Sequence, residues 1–166
     1  MATAIRERLI PTSIDLSEPI RHQVIEVLNA RLADALDLKT QIKYAHWNVK
    51  GMHFHQLHLL FDTVAEHLEE HIDLLAERAT ALGGVANGTA RQAAANSHLP
   101  EYPLEAATGE EHVHAVVDRL AKFAALVRAD IERTARVGDQ SSSDLLTEIS
   151  RETDKDLWLV EAHLQA

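Results

Sequence analysis

Residues 55–84 read HQLHLLFDTVAEHLEEHIDLLAERATALGG, and the reading of this stretch decides the fold. A helix advances about 100° per residue, so the segment can be projected end-on. With His58 at zero, Leu57, Phe61, Val64, Leu68, Ile72, Leu75, Ala79 and Leu82 gather between roughly 240° and 320°. One apolar stripe thus runs the whole length until Gly83-Gly84 stops the helix. A helix with such a stripe must lie against other helices. His58, Asp62, Asp73 and Glu77 project at roughly 0°, 40°, 60° and 100°. They therefore point out of their own bundle.

The neighbouring sequence supplies the partner helices. Glycine and proline leave four uninterrupted spans, 20–50, 52–82, 110–137 and 139–166. The first helix opens at Ser17 or Glu18 with Pro19 in its first turn, carries Val24, Val27, Leu28, Leu32 and Ala35 at helical spacing, and ends at Gly51. The second runs from about His55 to Leu82. The third opens at Thr108 with Glu111 three residues on, a capping box, and continues through Val113, Val116, Val117, Leu120, Phe123, Val127 and Ile131. The fourth begins around Ser141 to Ser143 and runs to the chain end. The alanine-rich segment TARQAAANS, 89–97, predicts a short helix inside the long second connection. The expectation is an all-α four-helix bundle over residues 18–166, preceded by a short extension, 1–17.

Composition agrees and narrows the chemistry. The chain has 166 residues, 46% of them hydrophobic but only 4% aromatic, which disfavours a β-sandwich. Acidic residues number 26 against 16 basic ones, so the formal charge of -10 argues against a general nucleic-acid surface. No cysteine is present, which excludes disulfides, thiolate catalysis, zinc-thiolate sites and cysteine-held iron–sulfur clusters. With 11 histidines, any metal must sit on imidazole and carboxylate. The N-terminus MATAIRERLIPTS lacks a secretory core and no run suggests a membrane span, so a soluble, cytoplasmic protein is expected.

The pairs His58/Asp62 and Asp73/Glu77 each have i,i+4 spacing, close enough to approach one cation. The two pairs cannot share a cation along one straight helix, because Asp62 and Asp73 are about 16 Å apart along the axis. The midpoint of 58 and 77 coincides with that of 62 and 73, between residues 67 and 68. An antiparallel copy related by a two-fold axis there sets each pair opposite the other and makes two equivalent sites. His46, before the Gly51 turn, comes back toward His58 and completes a His-His-Asp side. This set suits iron or zinc. Glu66 and Glu69 share the same face and repel their symmetry mates near the axis. His53, His55, His67 and His71 read as surface histidines, and Glu111/His114 as a surface pair.

On these residues the chain resembles the Dps family, the DNA-binding proteins from starved cells, which are ferritin-like mini-ferritins. The resemblance runs from about residue 18 to the end. It is carried by HWNVKGMHFHQLHLLFD at 46–62, DLLAERATALGG at 73–84 and SRETDKDLWLVEA at 150–162. The family pattern of His, His twelve on, Asp four on, Asp eleven on and Glu four on is met by His46, His58, Asp62, Asp73 and Glu77. The resemblance implies a ferritin-like bundle assembled from two-fold dimers into a twelve-subunit shell. Its ferroxidase centres would oxidise Fe(II), preferentially with hydrogen peroxide, and a ferric mineral would be stored inside, protecting against oxidative damage. His46, His58 and Asp62 would come from one subunit, and Asp73 and Glu77 from its two-fold partner. Zinc is a substitute for iron in such a site. Trp47 matches a family tryptophan thought to intercept stray oxidising equivalents.

Asp139, Asp144 and Glu148 fall about where the family lines iron-admitting pores with carboxylates. Members that coat DNA use lysine-rich tails, whereas residues 1–18 carry only Arg6 and Arg8 as cations against Glu7, Asp15 and Glu18. Weak or absent DNA binding is expected. The alternative is a nucleoid-associated, DNA-compacting protein whose metal site is secondary.

Overall fold

The computed structural model describes residues 9–165. Part of the expected extension, residues 1–8, and the last residue lie outside them. Among the described residues there are helices and no strand: α1 (Glu18–Asn48), α2 (Phe54–Ala81), α3 (Ala90–Asn96), α4 (Gly109–Val137) and α5 (Gln140–Glu161). A 3-10 turn, Ala162–Leu164, follows α5. The four long helices are those the sequence predicts, and α3 is the short helix of the long connection. Thr89 with Gln92 and Thr108 with Glu111 close capping boxes at α3 and α4. Two boundaries differ from expectation. Asp139, rather than a serine, caps α5, so that helix starts at Gln140. Its α-helical part stops at Glu161, where the last turn tightens into 3-10 geometry.

Cross-helix contacts fix the topology. Lys39 meets Glu69 and His46 meets His58, so α1 and α2 run antiparallel. Arg31 meets Asp130 and Gln41 meets Arg119, so α1 and α4 are antiparallel as well. His71 with Glu152 and Arg78 with Asp139 do the same for α2 and α5. The bundle is therefore up-down-down-up, with the long connection carrying α3 across to return the chain to the top. The whole predicted stripe of α2 is buried. Phe61, Leu68 and Leu75 pack with Leu28, Leu32 and Leu38 of α1, Leu120 and Phe123 of α4, and Leu146 and Ile149 of α5, all 2% exposed or less. Each such side chain contributes about 1.5–3 kcal/mol. No helix among the described residues is long and apolar enough to cross a membrane.

The end of α2 is tied to the extension. Gly83 has φ +88°, and its carbonyl accepts the Ile10 amide at 2.7 Å. Arg21 donates to the neighbouring Leu82 carbonyl at 2.9 Å. A Cβ on Gly83 would both occupy left-handed backbone and run into the Ile10 carbonyl oxygen. Gly83→Ala is therefore expected to cost about 2 kcal/mol, read as a lower thermal midpoint without loss of helix content.

Candidate metal centre

The short turn between α1 and α2 folds His46 back onto His58. Their rings stack with centroids 3.8 Å apart at 20°. His46 Nδ1 donates to the His58 carbonyl at 2.7 Å, and His58 Nδ1 donates to the His46 carbonyl at 2.9 Å. A carbonyl oxygen can only accept, so both rings hold their proton on Nδ1 and leave the Nε2 lone pair free. A ligand histidine held from behind in this way has its tautomer and ring orientation set in advance. The sequence puts the two imidazoles in one neighbourhood; the reciprocal backbone bonds are what make both of them donors.

Asp62 lies one helical turn after His58, with Oδ1 3.9 Å from His46 Nδ1. The same oxygen is 2.5 Å from Lys43 Nζ. The Lys43 ammonium holds the Asp62 carboxyl below its ordinary value. Asp62 is thus ionised and already paired with a cation. The structure brings together His46, His58 and Asp62. Asp73 and Glu77 stand exposed on α2 beyond them. Among the described residues no three His, Asp or Glu side chains of one chain are disposed around a cation.

Lys39 answers the repulsion expected on this face: it pairs with Glu69, as Lys43 does with Asp62. Trp47 is 68% exposed beside His46, with Lys43 Nζ 5.9 Å from its ring, and Leu59 and Phe54 are also exposed nearby. An acidic face edged by bare aromatic and aliphatic groups suits burial against another surface.

Two expectations need correction. Asp139 is not available to line a pore: at 2% exposure it is bound by Arg78 and Ser142 as the α5 cap. Asp144 and Glu148 remain exposed, one turn apart. His67 and His71 are not plain surface residues either. His71 is 1% exposed and bonds Glu152, while His67 bonds Asp156. Their helical projection, roughly 180° and 220°, adjoins the apolar stripe, and this was the available signal that they face α5. Glu111 serves its capping box, and His114 is on the surface, 3.9 Å from Glu110.

Comparison with known proteins identifies the fold and the family. Residues 25–166 match the model of the ferritin-like domain family. The DNA protection during starvation protein of Agrobacterium fabrum is 37% identical over 93% of this chain and 95% of its own. Among solved structures, DpsC from Streptomyces coelicolor superposes with a TM-score of 0.90 at 31% identity, covering 95% of this chain and 92% of that one. A Mycobacterium smegmatis Dps gives 0.88 at 30% identity over 96% and 94%. The chain belongs to the ferritin-like family and, within it, to the Dps mini-ferritins.

Proposed function

We propose that this protein oxidises Fe(II) with hydrogen peroxide at centres shared across a two-fold dimer, and stores the ferric product inside a dodecameric cytoplasmic shell. The observation that carries the reading is the stacked His46/His58 pair, both rings presenting Nε2, with ionised Asp62 alongside. Asp73 and Glu77 of the partner subunit would complete the centre. The exposed Trp47, Leu59 and Phe54 give the partner an apolar margin to cover.

Fe(II) is the substrate. The two imidazoles hold it without cancelling its charge, and the carboxylates favour Fe(III) over Fe(II) because they are hard anionic donors. Two Fe(II) give up one electron each to one peroxide, yielding two Fe(III) and two hydroxides, so no hydroxyl radical is released. The Nδ1 bonds to backbone keep both rings from rotating as charge rises at the site. Trp47 would take up a stray oxidising equivalent. Zn(II) fits the same donors but has no electron to give, so it inhibits.

Anaerobic loading with Fe(II), followed by peroxide and optical recording of Fe(III), tests the reaction. Two irons consumed per peroxide, and a much slower initial rate in His58→Ala/Asp62→Ala, are expected; equal rates in variant and wild type reject the site. Lys43 must leave Asp62 when Fe(II) arrives. Because this ion pair is partly exposed, Lys43→Gln is expected to lower the Fe(II) concentration for half-maximal rate by about two- to fivefold, with the maximal rate unchanged in a rate-versus-Fe(II) series.

The name of the Agrobacterium relative raises protection of DNA. In this chain we attribute protection to removal of Fe(II) and peroxide, since a formal charge of -10 opposes phosphate. Retardation of DNA in a gel that persists at moderate salt would reverse that attribution.

A further inference from the structure

We propose that His67 and His71 of α2, together with Glu152 of α5, form a second divalent-cation site, one per chain and independent of the dimer interface. His67 and His71 are one turn apart, so both rings face the neighbouring helix. The Asp156 carboxylate, its side chain 3% exposed, accepts His67 Nδ1 on both oxygens at 3.0 Å. His67 therefore directs Nε2 toward Glu152, whose Oε1 is 3.9 Å away. The other Glu152 oxygen accepts His71 Nε2 at 2.9 Å. One carboxylate thus stands between two imidazole Nε2 atoms. Two imidazole nitrogens with a carboxylate are a donor set for Zn2+, Co2+ or Fe2+, and a buried carboxylate behind a ligand histidine is the usual support for it.

The cluster is open on one side only. Glu152 and His67 side chains are 35% and 26% exposed, whereas His71 and Asp156 are 2% and 3% exposed. In the structure the donors hold one another by hydrogen bonds instead of standing open around a cation. An entering cation takes the place of the proton that His71 Nε2 shares with Glu152. Glu152, the most exposed member, is the one free to turn. His71, the buried member of the pair, donates through Nε2 to that carboxylate. Coordination moves its proton to Nδ1, which is buried without a partner. The site is accordingly weaker than one in which both rings are held from behind.

The test is calorimetric titration of the assembled, chelator-stripped protein with Zn2+, in wild type and in the His58→Ala/Asp62→Ala background. Glu152→Gln preserves size, and in both backgrounds it is expected to remove one Zn2+ equivalent per chain; His67→Gln is expected to do the same. Zinc anomalous scattering from wild-type crystals is expected to place a peak between α2 and α5. Unchanged equivalents in both variants, or no anomalous peak there at saturating Zn2+, overturn the site. Since both backgrounds are compared, the fate of the interface centre does not bear on the result.

Discussion

Oligomers assembled from an equal mixture of His58→Ala/Asp62→Ala and Asp73→Asn/Glu77→Gln chains are expected to oxidise Fe(II) at about one quarter of the wild-type initial rate, although each variant alone is slow. The figure follows from symmetry. In a mixed dimer, one centre combines both damaged halves and the other combines both intact halves. Random pairing makes half of the dimers mixed, so about a quarter of all centres are complete. Each parent lacks two donors at every centre and is expected to be at least about tenfold slower than wild type, a barrier rise of roughly 1.4 kcal/mol or more. Stopped-flow absorbance after anaerobic loading measures the rates, and gel filtration confirms that the mixed shells assemble. A centre contained within one chain cannot be rescued in this way. A mixture as slow as its parents would therefore break the proposal that Asp73 and Glu77 serve the partner.

The antiparallel arithmetic behind that experiment was legible in α2 alone. Periodicity separates its stripe from its polar face, and every stripe position is buried in the structure. The ends of the helices were less legible, because several donors and acceptors compete for them. The serines at 141–143 read as the start of α5, but Asp139 caps it, its carboxylate accepting the Ser142 amide and held by Arg78 from α2. Apart from His46 with His58, side-chain pairing between helices was not legible. Lys39 and Lys43 of α1 neutralise Glu69 and Asp62 of α2, a pairing that no spacing within either helix indicates. His67 and His71 were misread for a related reason: a histidine on the margin of a stripe is exposed or buried according to what the next helix offers. Here α5 offers Glu152 and Asp156.

Asp139→Ala is expected to lower stability by about 2–4 kcal/mol. The carboxylate closes the joint between α4 and α5 directly after Gly138, whose φ is +99°. One oxygen accepts the Ser142 amide at 3.0 Å, the other accepts the Ser142 hydroxyl at 2.5 Å, and Arg78 reaches both at 3.0 and 3.1 Å. Alanine strands the cap amide, the Ser142 hydroxyl proton and Arg78 Nη2, while Arg78 Nε still donates to Ser142 Oγ at 2.8 Å. The cost falls short of a fully buried broken pair because the Arg78 side chain is 20% exposed and can turn toward water. Burial alone would raise the Asp139 pKa, but the bonds from Ser142 and Arg78 outweigh it and hold the carboxyl below its ordinary 3.8. A lowered pKa in the folded state means that the stabilisation is complete above pH 3.8 and is lost as pH falls through the folded value. The gap in guanidinium midpoint between wild type and variant, measured at fixed chain concentration, should therefore be full at pH 7 and shrink below pH 3.8. Asp139→Asn keeps an acceptor for the cap but loses the charge, so an intermediate loss is expected. Combined with Arg78→Met, it should cost less than the sum of the two, since the second change removes the stranded charge. Arg78 adjoins Glu77, so the same clamp fixes the end of α2 that carries Asp73 and Glu77. If Asp139 instead lined a pore, Asp139→Asn would slow iron uptake into the shell and leave the denaturation midpoint where it was.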